Sequence, residues 1–356
     1  MNTVYLHPMV ARLFATLNTN VTTQSGSGAS LTAEMKTFYS NNLIDLAEPE
    51  LVHDQFGQKH PIPKNGGKTI EFRKYSSLPK ATTALTEGVT PNGQSLNVTT
   101  QTATVSQYGG YVTLSDVLLL AAIDNNLMQA SKLLASQAGR TLDTITREVL
   151  NGGTNVYYCA SGVTDKANLV GGSATASDNN TLTVDDIRRA VRKLKTMNTP
   201  KINGGYVAII HPDVSYDLMS DPEWQRPHEY VDTDNIYAGE IGRIAGCRFV
   251  ETTEAKVWKK AAKDKSSGTA EAGDGSTKGW DVYSTLVLGA DAYGITEITG
   301  GGLQMIIKQL GSAGTEDPLD QRATAGWKAI KVAERLVEEY MIRVMSVSSF
   351  NDAAAN

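Results

Sequence analysis

A mixed α+β fold built as two lobes is predicted by three features of this sequence. Its 356 residues exceed the usual span of one hydrophobic core, so two lobes of roughly 100 to 200 residues each are expected. Its 32 glycines and many Thr and Val residues favour strands and turns. Into that background is set one long helical repeat, Leu127, Ala130, Leu134, Ala138, Leu142, Ile145 and Val149, at spacings of three and four. With 40% hydrophobic and 20% charged residues the chain has the composition of a folded protein.

Taken in order, the first thirty residues hold one short amphipathic pattern, Val10, Leu13, Phe14 and Leu17, followed by the Ser- and Gly-rich "NTNVTTQSGSGAS", which reads as an arm. A second helical pattern through Met35, Phe38, Tyr39 and Leu43 is broken by Pro49 and Gly57. Residues 58 to 114 change character. "KTIEFRKY" alternates, a Pro- and Gly-marked tip runs from Ser76 to Gln94, and "NVTTQTATVSQYGGYVTL" returns in extended form. This long two-stranded excursion carries mostly Thr, Gln, Lys and Glu, too little apolar surface to hold itself together in water.

Ser115 is placed to cap a short helical turn through Ile123, and the long repeat then predicts a helix over 126–150, a rod of roughly 37 Å at 1.5 Å per residue, ending at "NGG". A second lobe follows. Thr183 and Asp186 have capping-box spacing ahead of Ile187, Val191, Leu194 and Met197, and "GGYVAII" reads as a buried strand. His211 ends that strand, Pro212 occupies the first helical turn where its missing N–H costs nothing, and Asp213 meets the positive end of the helix dipole. Asp221 and Pro222 repeat the device. "GCRFVET" and "VYSTLVLGADAYGI" predict strands, separated by the Lys-, Gly- and Ser-rich "KVWKKAAKDKSSGTAEAGDGSTKGW", read as an exposed loop. "GLQMIIKQL" and "GWKAIKVAERLVEEYMIRVMSVS" read as closing strands, although residues 329–339 also suit a helix.

Charge and cysteine content narrow the function classes. A net charge of −5 offers no global attraction to nucleic acid or an anionic membrane, so any such contact is local. Cys159 and Cys247 lack metal-ligand or redox spacing and read as small buried hydrophobes in a reducing compartment. Pro8 interrupts the first residues and no signal peptide is expected; the apolar run 117–123 is far too short to span a bilayer.

Several motifs imitate chemistry. "NGGKT" at 65–69 lacks the first glycine of a phosphate-binding loop, Ile62 standing in its place, and reads as a hairpin turn. Gly239, Gly242 and Gly246 have the wrong spacing for a dinucleotide fingerprint and read as turns. The His-Pro-Asp triplet of J-domain co-chaperones lies between two helices, whereas His211 follows a strand. His7, His53, His60, His211 and His228 show no zinc-ligand spacing and read as surface or capping residues. Arg188, Arg189, Arg192, Lys193 and Lys195 form one basic helix face, read as solvated, with phosphate or an acidic neighbour as the alternative contact. No nucleophile, base and orienter set stands out, so no catalytic, cofactor-binding or metal-ligating residue is nominated.

The order of parts, carried by "LTEGVTPNGQSLNVTTQTATVSQYGGYVTLSD", "AIIHPDVSYDLMSDPEW", "YAGEIGRIAGCRFVET" and "DPLDQRATAGWKAIKVAERLVEEYMIRVMS", resembles the major capsid proteins of tailed bacteriophages over roughly residues 31 to 350. The resemblance implies the Hong Kong 97-type phage capsid fold. Residues 1–57 would form the N-terminal arm, 58–114 the extended loop (E-loop) and adjoining strands, and 115–155 the spine helix of the peripheral domain. The axial domain would take 156–300, and the peripheral return strands and C-terminus 301–356. It further implies a structural, non-enzymatic protein that self-assembles into pentamers and hexamers of an icosahedral shell around double-stranded DNA, without cofactors or membrane. The partners it implies are a separate scaffolding protein, a portal and decoration proteins, with assembly in the bacterial host cytoplasm and final location in the virion capsid. An encapsulin-like nanocompartment shell and a cytosolic oligomeric enzyme stand as alternatives.

Overall fold

The computed structural model describes residues 19–20, 52–90, 92–122, 126–175, 178–224, 240–275, 277–299, 301–312 and 316–351. The two predicted arm helices lie outside these residues, apart from the stretch 52–56. In chain order the strands are β1 (Thr19–Asn20), β2 (Gln58–Lys59), β3 (Thr69–Tyr75), β4 (Val98–Thr104), β5 (Ser106–Ser115), β6 (Val156–Tyr158), β7 (Val170–Gly171), β8 (Tyr206–Ile210), β9 (Glu240–Ile244), β10 (Cys247–Glu251), β11 (Val257–Asp264), β12 (Trp280–Leu288), β13 (Tyr293–Thr296), β14 (Gln304–Lys308), β15 (Arg322–Arg335) and β16 (Met341–Ser346). The helices are α1 (Asp116–Ala121), α2 (Asn126–Asn151), α3 (Val184–Thr196) and α4 (Pro212–Met219). Contacts gather the chain into two units, Met1–Glu48 with Gln107–Leu142 and Gly301–Ile330, and Pro49–Ser106 with Asp143–Gly300 and Lys331–Asn356.

In the first unit, the early part of α2 turns Ala130, Leu134 and Ala138 toward Leu114, Leu118, Ala325, Trp327 and Ala329, the i, i+4, i+8 stripe that the repeat predicted. Ser115 caps α1, its Oγ accepting the Leu118 N–H at 3.2 Å. β14 pairs antiparallel with β15, Met305 opposite Trp327 and Ile307 opposite Ala325. On the other side of β15 lies β5. Gly109 is required there: a Cβ would stand 2.6 Å from the Trp327 carbonyl oxygen.

The second unit is organised by a sheet in the order β6-β16-β12-β8-β10-β9, with β11 on β12 and β7 on β11. The run "YVAII" of β8 is buried at every residue because the sheet is covered on both faces. Tyr206, Ala208 and Ile210 meet Ile187, Val191 and Leu194 of α3 and Val214 and Leu218 of α4. Val207 and Ile209 point the other way, toward Val52, Phe56, Leu150 and Tyr293. Burying one such aliphatic side chain stabilises by about 1.5–3 kcal/mol, so both layers weigh in the fold.

The capping box forms as read, Thr183 Oγ1 accepting from Asp186 N and the Asp186 carboxylate accepting from Thr183 N. His211 goes further than strand end: it is the N-cap of α4, its Nδ1 accepting the Asp213 N–H at 3.2 Å, with Pro212 following. Asp221 caps the next helical residues through Glu223 N at 2.9 Å and also holds Val184 N at 3.1 Å. Both cysteines are buried and free.

Four sequence readings need correction. The Lys-rich stretch after Ala255 begins as the strand β11, with Val257 and Ala262 buried. A register shift between Trp258 and Ala262, with Lys260 at φ +49°, lets consecutive lysines share a strand; their composition imitated a loop. Within "GEIGRIAG" the turn is confined to Ala245 and Gly246, while Glu240–Ile244 pairs with β10 as a hairpin strand. "NGGKT" follows a turn closed by Gly66 N–H on Pro63 O at 2.9 Å, yet that turn joins the isolated Ile62–Ile298 bridge to β3, and no hairpin forms there. The returning "NVTTQTATVSQYGGYVTL" divides at Val105 into β4 and β5, which belong to different sheets. The C-terminal stretch, by contrast, is strand throughout β15 and β16, the strand reading.

Candidate assembly surface

β3 and β4 form a two-stranded sheet of their own, in register from Thr69 opposite Thr104 to Tyr75 opposite Val98. Every described residue from Arg73 to Thr102 is exposed. Among them are apolar groups that water disfavours: Leu85 at 77%, Leu96 at 67%, Val89 and Tyr75 at 62% and Leu78 at 49% exposure. An isolated two-stranded ribbon is marginal in water, and among the described residues this one is fastened through its strands and not through its tip. Ala103 and Val105 are buried, and the Phe72 ring stands edge-on to His60, with centroids 5.5 Å apart. Gln101 Nε2 donates to Glu334 Oε1 at 3.0 Å, and Lys74 reaches Glu339 at 3.4 Å.

The sequence stripe missed a polar cluster further along α2. Beyond Leu142 the buried face of α2 is mostly polar, with Asp143, Thr146, Arg147 and Asn151 beside Leu150. The Asp143 carboxylate accepts both the backbone N–H of His53, at 2.9 Å, and its ring Nδ1, at 2.6 Å. Thr146 Oγ1 donates to Asp54 Oδ1 at 2.6 Å, and Lys331 pairs with the other Asp54 oxygen. Arg147, 3% exposed, donates to the Glu254 carbonyl at 2.9 Å and pairs with Glu148, which also receives Lys256. Tyr293 donates its buried hydroxyl to the His53 carbonyl; burial first, then the Asp54 and Asp143 charges, push that phenol well above its usual range.

Next to this cluster, burial pushes the Glu338 carboxyl up, but the N–H groups of Asn155 and Thr154 and the Arg335 guanidinium outweigh it and hold the group below its ordinary value. Desolvation opposes ionisation of Glu148 as well, and Lys256 and Arg147 prevail. The result is a polar strap that ties residues 53–54, the end of α2 and the return strand at Lys331 and Arg335, whose Nη1 donates to the Val149 carbonyl at 2.6 Å.

His53 is therefore a correction: it is fully buried, neither surface nor cap, with its Nδ1 paired to the Asp143 carboxylate and its Nε2 without a hydrogen-bond partner among the described residues. The spacing 143, 146, 147, 151, the i, i+3, i+4 and i+8 set of a helix face, carried the signal in polar residues, where an apolar stripe was sought. His60 is exposed beside Gln58, and His7 and His228 lie outside the described residues. On the basic face Arg188 pairs with Glu223, Arg189 with Asp185 at 2.8 Å, and Lys193 with Asn155. Among the described residues no group of three His, Cys, Asp or Glu side chains is placed to hold a metal ion, and no helix is long and apolar enough to cross a membrane. What this geometry offers is an anchored ribbon with an unsatisfied outer length.

The sequence pattern of the family described as phage capsid protein matches residues 22–309. The chain belongs to that family. It is a structural, non-enzymatic protein, a phage major capsid protein whose working form is an assembly of copies in the virion shell. The membership favours neither the nanocompartment shell nor the cytosolic enzyme.

The fold is that of solved phage capsids. The capsid of cyanophage P-SCSP1u superimposes with a TM-score of 0.62 at 14% identity, covering 89% of this chain and 94% of that one. The capsid of Ralstonia phage GP4 does so with 0.62 at 16%, covering 92% and 100%, and the cyanophage Pam1 capsid with 0.64 at 13%, covering 91% and 100%. At such identities the likeness speaks for the fold alone. No curated protein sequence matches the chain.

Proposed function

We propose that this capsid protein builds an icosahedral shell of pentamers and hexamers around the double-stranded DNA genome of a tailed phage, and that the β3–β4 ribbon is the E-loop that joins neighbouring copies. The observation that carries this reading is the ribbon itself: a polar, exposed length bearing Leu78, Leu85, Val89 and Leu96, fastened among the described residues through its strands and not through its tip. Laid across another copy, its free backbone groups and apolar side chains gain partners. Such contacts are heterologous, so they close into rings, and many weak ones give a firm shell through avidity.

In this reading residues 1–57 form the arm, 58–114 the E-loop and adjoining strands, 115–155 the spine helix, 156–300 the axial domain and 301–356 the peripheral return strands. The net charge of −5 suits a container whose wall contacts packaged DNA without sequence preference and without holding it tightly. A scaffolding protein, a portal and decoration proteins complete the proposed assembly, which takes place in the bacterial host cytoplasm. The test is deletion of residues 76–94. A soluble folded subunit that forms no shells under the electron microscope is expected; normal particles would refute the role given to the ribbon.

A further inference from the structure

We infer that the side of α3 facing the β9–β10 turn is a phosphate-binding groove that takes the backbone of double-stranded DNA. The groove, about 580 Å³, is lined by Arg188, Val191, Arg192, Lys195 and Thr196 of α3 and by Ala245 of the turn. Half of these residues are cationic and none is a carboxylate, in a chain whose net charge is negative. The concentration of positive charge is thus local. Arg188 is engaged by Glu223, and Arg189, outside the groove, by Asp185. Among the described residues neither Arg192 nor Lys195 has a carboxylate partner.

Position along the helix matters as much as charge. Arg188, Arg192 and Lys195 stand at i, i+4 and i+7 and so share one face; at 1.5 Å per residue they span about 10 Å. One DNA strand advances about 3.4 Å per phosphate along the duplex axis, so the row spans about three such steps, the reach of four consecutive phosphates. Arginine's planar fork suits phosphate oxygens. The rest of the lining, Val191, Thr196 and Ala245, is uncharged. Charge in a row is the chemistry of contact that ignores base sequence.

This inference rests on the reading of the shell as a DNA container, and the experiment separates the two. Unassembled full-length chain is titrated against a short fluorescent double-stranded DNA between about 50 and 200 mM salt. Wild type is compared with Arg192→Glu/Lys195→Glu and with the charge-matched control Lys259→Glu/Lys278→Glu, all shown by circular dichroism to be folded. The groove variant is expected to bind at least about 10-fold more weakly, with the slope of log K against log salt reduced by about 2, while the control keeps the wild-type slope. Equal loss in the control, wild-type binding by the groove variant, or displacement of the DNA by polyglutamate as readily as by unlabelled DNA would each overturn the groove. Electron microscopy of the same preparations judges the shell independently: wild-type particles with no difference in DNA binding remove the groove alone, whereas a wild type that never forms particles removes the shell reading.

Discussion

Replacing Asp143 with alanine strikes the α2 carboxylate that holds His53 in the segment ahead of β2. In the folded chain it is 2% exposed and accepts two hydrogen bonds from the fully buried His53. Removing one member of a buried, hydrogen-bonded pair costs about 3–5 kcal/mol, because the other is left without compensation. Asp143→Ala strands both the His53 N–H and its ring nitrogen. His53→Ala strands the carboxylate but keeps the backbone bond, so it should cost less. In the double variant only the backbone donor remains orphaned, and the coupling between the sites should be about 1–3 kcal/mol. Tryptophan fluorescence during urea unfolding of unassembled chain reads this out, since Trp224, Trp258 and Trp280 belong to the same unit as the pair. With a slope near about 3 kcal/mol per M, the Asp143→Ala midpoint should fall by about 1–2 M. A loss under about 1 kcal/mol, or strict additivity in the cycle, would refute the claim that this pair anchors residues 53–54 to α2.

Four further outcomes are expected. His211 has its proton affinity lowered by burial, which outweighs the opposing pull of Asp213. The unfolded chain therefore binds more protons just below pH 6.5, and the stability that depends on a neutral His211 is present above that value and lost as pH falls below it. His211→Asn, which preserves a cap without titrating, should gain on wild type between about pH 6.5 and 5 in denaturation curves; parallel curves would contradict this. Thr183→Ala should cost about 1 kcal/mol in unfolding free energy through loss of the capping box, and Thr183→Ser should restore most of it. Gly109→Ala should destabilise by about 1–3 kcal/mol by forcing β5 from the Trp327 carbonyl, seen as a lowered melting temperature. Cys159 and Cys247 are buried and burial pushes both thiols up, so a thiol reagent should label neither in the native chain and both in urea; fast native labelling would place a thiol at the surface.

Most of the secondary structure was legible because its signals are local. Ser115, Thr183 and His211 cap helix starts through bonds within three residues, and Leu127 to Ala138 betray one face by spacing alone. Where the structure departs from the sequence reading, the deciding partner lies far along the chain. His53 and Asp143 are 90 residues apart, and nothing near either announces the pair. Lys331 lies in a stretch read as strand, and only the fold brings Asp54 to it. β11 was hidden by lysines whose heads reach the surface while Val257 and Ala262 between them are covered. The ribbon was visible for the opposite reason: its Thr, Gln and Lys content marks a segment with no core of its own, a property that composition states directly.

In the proposed assembly that ribbon also gives the subunit a built-in clock. A chain length that is bare until another copy covers it is open to proteases first and shielded afterwards. A brief pulse of trypsin, with Arg73, Lys74 and Lys80 exposed along the ribbon and at its tip, would nick latecomers and spare whatever has already been built in, so the fraction of uncut chain would time the growth of the shell.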